Sequence, residues 1–216
     1  MLEGRGIVRG LCLFGILGIV AVGTGCGELK KLRQENQQLN EQLSGLQQEN
    51  AELSSKASRY ENELNRLENS RRDLEAKLKG TGATVRIKNG AVSVLLPGAV
   101  LFDPGQTTLR PQSKATLKKI AGVLKTAASG EIVRIEGHTD SDPISKQKDK
   151  YKSNWELSAA RSAAVLHYMV EECGVSPTRV YIAGFGQYQP MSDNKSKTGK
   201  AKNRRVEFVI VPKGGG

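Results

Sequence analysis

Ser153-Asn154-Trp155-Glu156-Leu157-Ser158-Ala159-Ala160-Arg161 is the stretch that decides the fold of the C-terminal half of this chain. Ser153 followed three residues later by Glu156 is a capping box, in which hydroxyl and carboxylate satisfy the free backbone N–H groups of a helix start. The spacing therefore predicts a helix that begins at Asn154 and turns Leu157, Ala164, Val165 and Tyr168 inward. Arg161 stands about two turns into that helix.

Working outward, Ile132 to Glu136 reads as a strand with Val133 and Ile135 on one face, and Glu136-Gly137-His138-Thr139-Asp140 carries the chain past its end. Pro111 suits a first helical turn, and Leu117, Ile120, Ala121 and Leu124 follow at helical spacing. Val85 with Ile87, and Val92 with Val94-Leu95-Leu96, predict two short strands joined by a turn at Lys88-Asn89-Gly90. Val180 to Ala183 and Val206 to Val211 complete the strands. Strands alternating with two helices predict an α+β fold, a small α/β sandwich whose mixed sheet is covered by helices on one face.

Three pieces stand in order: Glu136-Gly137-His138-Thr139-Asp140, the capped helix, and Lys202-Asn203-Arg204-Arg205-Val206-Glu207. Together they resemble the OmpA-like peptidoglycan-binding domain, and the wording of the capped helix is most similar to its MotB-type branch. The resemblance runs from about Val92 to Val211 and implies the same sandwich. It also implies a site in which Asp140 takes the ammonium, and Arg161 the carboxylate, of the diaminopimelate in a peptidoglycan stem peptide. Phe102, Asp103, Asn154, Leu157 and Arg205 fall where the family lines that pocket. The loop from Ser141 to Ser153 is longer than in many members, contains Asp142-Pro143-Ile144 as in the MotB-type branch, and carries Lys146, Lys148, Lys150 and Lys152.

Arg5 and Arg9 precede an apolar run from Leu11 to Val22, and Gly23-Thr24-Gly25-Cys26 follows. A short basic region, an apolar stretch and then small residues form an export signal. The cysteine at its end resembles a bacterial lipobox, with Gly23 departing from the usual aliphatic residue, and this makes Cys26 the candidate for lipidation. The alternative is an uncleaved inner-membrane helix, since residues 10–27 form an uncharged run near the lower length limit for a bilayer span. Either way the sequence predicts a periplasmic domain tethered to a membrane, the outer membrane for a lipoprotein. Residues 4–27 hold no carboxylate, and this disfavours a flagellar-stator-like role, which needs an ionisable group in its membrane helix.

From Leu29 to Leu78 a heptad repeats. One register holds Leu32, Leu39, Leu46, Leu53, Tyr60, Leu67 and Leu74; the other holds Leu29, Asn36, Leu43, Asn50, Ala57, Leu64, Arg71 and Leu78. A narrow stripe of this kind predicts a coiled coil, and Asn36 and Asn50 at the seam favour a parallel homodimer over residues 29–78. The expected organisation is a signal or anchor over 1–26, a coiled-coil spacer over 27–79, a linker and first strand over 80–91, and the binding domain over 92–213.

Residues 81–216 carry 21 basic and 11 acidic side chains, which is nearly all of the net charge of +11. A basic surface suits anionic wall or lipid groups and also nucleic acid, but export argues against a nucleic-acid partner. Cys12, Cys26 and Cys173 have no disulfide or C-x-x-C metal spacing. His138, Asp140 and Ser158 do not compose a hydrolase, because Ser158 falls inside a helix and lacks a nucleophile elbow. The sequence thus predicts no enzyme, no cofactor and no metal. It predicts non-covalent peptidoglycan binding, with a coiled-coil scaffold recruiting a protein partner as the alternative.

Overall fold

The computed structural model describes residues 8–211 except 127, 129 and 146, with side chains from Gly27 onward. Cys26, the apolar run before it and Lys146 therefore lie outside the described side chains. Among the described residues no helix is long and apolar enough to cross a membrane. The chain divides into two compact units, Met1–Glu61 and Asn62–Gly216.

Helix α1 (Val8–Lys77) contributes to both units. In the first, Leu29, Leu32, Leu39, Leu43, Leu46 and Leu53 are each between 54% and 59% exposed, so a single chain leaves this apolar stripe uncovered. Asn36 uses its amide within the helix, donating to the carbonyl of Leu32 at 3.1 Å.

The second unit is built on a five-stranded sheet in the order β1-β2-β5-β3-β4. Strands β1 (Thr84–Lys88) and β2 (Ala91–Pro97) form a hairpin. Asn89 and Gly90 turn it with φ of 50° and 71°, the left-handed pair that a two-residue hairpin turn requires. β5 (Arg205–Val211) lies antiparallel between β2 and β3 (Ile132–His138), and β4 (Val180–Gly184) runs parallel to β3. The parallel pair needs a crossover, which α4 (Asn154–His167) supplies, extended by a π turn over Tyr168–Glu172.

Strand alternation puts Val92, Val94, Leu96, Val133, Ile135, Val206 and Phe208 on one face, where they meet Leu117, Ile120 and Leu124 of α3 (Pro111–Thr126) and Val165 of α4. Leu67, Leu74 and Leu78 join this core at 8%, 1% and 2% exposure. Where the sequence predicts a coiled-coil spacer over 27–79, its last leucines, Leu67, Leu74 and Leu78, lie buried in the globular core. Within 80–91, the stretch expected to hold a linker and first strand, β1 pairs along its whole length with β2. Short helices α2 (Gly98–Leu101) and α5 (Lys197–Asn203) were not expected from the sequence.

Candidate functional site

The opposite face of the sheet carries a charged cluster, beside the apolar Leu95 and Val209. Glu136, His138, Arg205 and Glu207 alternate with the core residues of β3 and β5, yet all four are at most 2% exposed. Glu207 accepts hydrogen bonds from Arg86 (2.6 Å), Arg205 Nε (2.6 Å) and Ser93 (3.0 Å), and Glu136 accepts from Arg134 Nε at 2.7 Å. Burial opposes the charge of Glu207, but the Arg86 hydrogen bond and the adjacent Arg205 outweigh it and lower its pKa to about 2. Glu136 is also held below the usual range, with burial opposed by the nearby His138 and by its bond from Arg134. Burial depresses His138, whose Nε2 lies 3.4 Å from Glu136 Oε2 and 3.6 Å from Glu207 Oε1. Glu136, His138 and Glu207 could offer ligand atoms within 4.8 Å of one another. Arg86, Arg134 and Arg205 already take those carboxylates, so a divalent cation there would meet three guanidinium groups.

The second charged cluster lies at the end of the sheet, and glycines let it form. A Cβ on Gly137 would sit 2.2 Å from the carbonyl oxygen of Ser158, and one on Gly184 would sit 2.7–2.9 Å from Ala159. Only their absence lets α4 press on β3 and β4. Ser162 Oγ then donates to the carbonyl of Ala183 (3.2 Å), and Ser158 Oγ accepts from Gly186 N (3.0 Å) while donating to the carbonyl of Trp155. Ser158 is thus occupied as a fastener between helix and loop. The cap forms as expected in one half: Ser153 Oγ accepts from Glu156 N, while Glu156 reaches back one residue further, accepting from Lys152 N at 2.7 Å.

This docking brings Asp140, just beyond β3, and Arg161, two turns into α4, to one cavity of about 130 Å³. Asn154 and Leu157 line it too, with Gly105, Thr139, Arg204 and the loop Asp142-Pro143-Ile144-Ser145. Asp140 is 6% exposed and pairs with Arg204, not with Arg161. Its Oδ1 also accepts from Asp142 N (3.2 Å). Asn154 Nδ2 clasps the loop through the carbonyl of Asp142 (3.0 Å) and Gln187 Oε1 (3.1 Å). Arg161 is 7% exposed; its Nε donates to the carbonyl of Gln106 (3.1 Å), and its guanidinium lies 5.4 Å from the centroid of the Phe102 ring. Among the described residues Arg161 forms no ion pair. Burial lowers its pKa, opposed by the field of Asp140, so the site holds a guanidinium that gains from a carboxylate partner.

Three expected residues stand elsewhere. Phe102 is buried beneath Arg161 as a shelf and does not line the cavity. Asp103 is exposed and faces Arg110 at 3.4 Å. Arg205 points to the closed cluster on the sheet face, and its neighbour Arg204, ahead of the strand, lines the cavity instead. Successive residues at a strand start point to opposite faces, so a shift of one position exchanges the two arginines.

Residues 101–204 match the OmpA family. The chain is 32% identical over 141 residues to Motility protein B of Bacillus subtilis, covering 65% of this chain and 49% of that protein. It is 32% identical over 139 residues to the Probable lipoprotein YiaD of Escherichia coli, covering 64% and 60%. The chain thus spans only about half to three fifths of these relatives. Among solved structures, a putative MotB like protein from Desulfovibrio vulgaris superposes with a TM-score of 0.64 at 28% identity, covering 71% of this chain and 96% of that one. The cell wall anchor of the T6SS from Pseudomonas aeruginosa superposes at 0.57 and 29% identity, covering 66% and 96%. Matched sequence, mixed sheet and helical cover agree: residues 101–204 carry an OmpA family domain.

Proposed function

We propose that this protein is a non-enzymatic envelope anchor whose C-terminal domain grips the diaminopimelate of a peptidoglycan stem peptide. The observation that carries this reading is the convergence of a carboxylate, Asp140, and a guanidinium without an ion-pair partner among the described residues, Arg161, on one small cavity. A zwitterionic amino-acid group offers the two complementary charges, and a guanidinium fork holds a carboxylate by two parallel hydrogen bonds. The likeness to a cell wall anchor supports the same ligand class. Residues 1–26 are proposed to tether the protein to a membrane, through acylated Cys26 at the outer membrane or an uncleaved helix at the inner one. Pull-down of the full chain with purified peptidoglycan tests the cavity: Asp140→Ala and Arg161→Ala lose retention while their circular dichroism melts stay cooperative. Retention by both folded variants rejects the site.

The uncovered stripe from Leu29 to Leu64 supports a parallel homodimer in the same reading. Sedimentation gives a dimer for the wild type and a monomer for Leu46→Ala/Leu53→Ala. A wild-type monomer at micromolar concentration removes the dimer.

A further inference from the structure

The domain exposes two large aromatic side chains against one another. Trp155 is 47% and Tyr188 61% exposed, yet their rings stack with centroids 5.0 Å apart and planes 21° from parallel. Trp155 is the second residue of α4, next to Asn154, which lines the cavity. Tyr188 belongs to the loop that follows β4. That loop is pinned to the site: Asn154 Nδ2 donates to Gln187 Oε1 (3.1 Å), Gly186 N to Ser158 Oγ (3.0 Å), and Thr139 N to the carbonyl of Gly186 (2.9 Å). Gly186 (φ +53°) approaches so closely that a Cβ would lie 3.2 Å from Trp155 N. The same contacts that shape the cavity therefore hold the aromatic pair in position. Core packing does not account for a pair of rings this exposed, and rings fixed beside a cavity act as an anchor for a ligand that extends beyond it.

We infer that Trp155 and Tyr188 form a stacking platform for a sugar ring, so that the domain binds the glycan together with the stem peptide hanging from it. This rests on the proposed stem-peptide reading of the cavity. Continuity selects the occupant: a stem peptide seated against Asp140 and Arg161 is covalently carried by an amino sugar, and Asn154 bridges the cavity to the platform. A pyranose presents a face of C–H groups that packs on the electron-rich face of an aromatic ring, while its hydroxyl and amide edges stay in water. A platform of two rings, with the exposed Glu156 next to Trp155 in the chain, suits such a half-wet ligand.

Calorimetric titration of the full-length protein with two ligands tests this: a disaccharide–stem peptide fragment, and the same stem peptide freed of its sugars. The wild type binds the sugar-bearing fragment about two- to tenfold more tightly, the scale of an aromatic contact. Trp155→Ala and, independently, Tyr188→Ala erase that preference and leave the affinity for the free peptide unchanged; Trp155→Phe retains part of it. Arg161→Ala lowers binding of both ligands, which reports on the cavity alone. Equal wild-type affinity for the two ligands, or an equal loss for both in Trp155→Ala and Tyr188→Ala, overturns the platform and leaves the cavity reading intact. Failure of the wild type to bind either ligand overturns both.

Discussion

Two charged clusters grow from the ends of the same strands, and they differ in how their opposite charges are paired. On the open sheet face, Glu207 receives Arg86, Arg205 and Ser93, and Glu136 receives Arg134, so both carboxylates hold a guanidinium, while Glu136 Oε2 and the ring nitrogens of His138 make no hydrogen bond among the described residues. Around the cavity, Asp140 has Arg204 and a backbone N–H, while Arg161 has one carbonyl, an aromatic shelf and, among the described residues, no carboxylate paired with it. Charges whose partners are all internal hold the domain together. A desolvated charge with an unfilled partner position at a cavity mouth is available to a ligand. Arg204 and Arg205, consecutive in the chain, fall on the two sides of this division.

The comparison breaks if the closed cluster can be opened without loss of stability. Arg205→Ala leaves Glu207 buried with one guanidinium fewer, and removing one partner of a buried pair costs about 3–5 kcal/mol. Urea melts of the purified protein are expected to show a loss of that size, and a change below about 1 kcal/mol would mean that the cluster is not closed in solution.

A second expectation concerns acid. The pKa of Glu207 in the folded state, about 2, lies below its value in the unfolded chain, so its contribution is complete above about pH 4.5 and is lost as pH falls toward 2. Glu136 has the same sign. His138, depressed by burial, binds its proton more readily in the unfolded chain, so it withdraws stability as pH falls below about 6.5. All three act in one direction, and thermal melts from pH 7 to pH 3 should fall monotonically. A maximum near pH 4 contradicts the assignment.

Smaller still is the effect of Arg204→Ala. Its side chain is 41% exposed, which screens the pair, but the Asp140 side chain is 8% exposed, so the loss falls between the roughly 0–1 kcal/mol of an exposed pair and the roughly 3–5 kcal/mol of a buried one. Melts should move less than for Arg205→Ala one residue away. Comparable losses at the two positions would erase the distinction between the clusters.

Much of the domain was legible because local chemistry and tertiary need coincide. Asn89-Gly90 is a turn wherever it stands between two apolar runs, and Ser153 with Glu156 starts a helix on backbone grounds alone. The leucine register was less informative: the same spacing leaves Leu29 to Leu64 exposed and buries Leu67, Leu74 and Leu78 in the domain's own core. A heptad states that a stripe needs cover and does not name what covers it. Helix α5 has no apolar periodicity; it is held by the Ser196 cap and by Asn203, whose side chain accepts from Met191 N and Ser192 N. Asp140, Arg161, Asn154 and Leu157 could be grouped from the sequence by family resemblance. Arg204, Pro143 and Ile144 could not, because loop path and strand start decide which side chains reach the cavity.

The central claim is that Arg161 recognises a carboxylate through its planar fork. Its most direct test is titration of a diaminopimelate-containing stem peptide into the wild type and Arg161→Lys, which keeps the charge and removes the geometry. The expected result is one-to-one binding by the wild type and an affinity at least about tenfold weaker for Arg161→Lys, a difference of about 1.4 kcal/mol, with coincident melts. Equal affinity in the two proteins would contradict it.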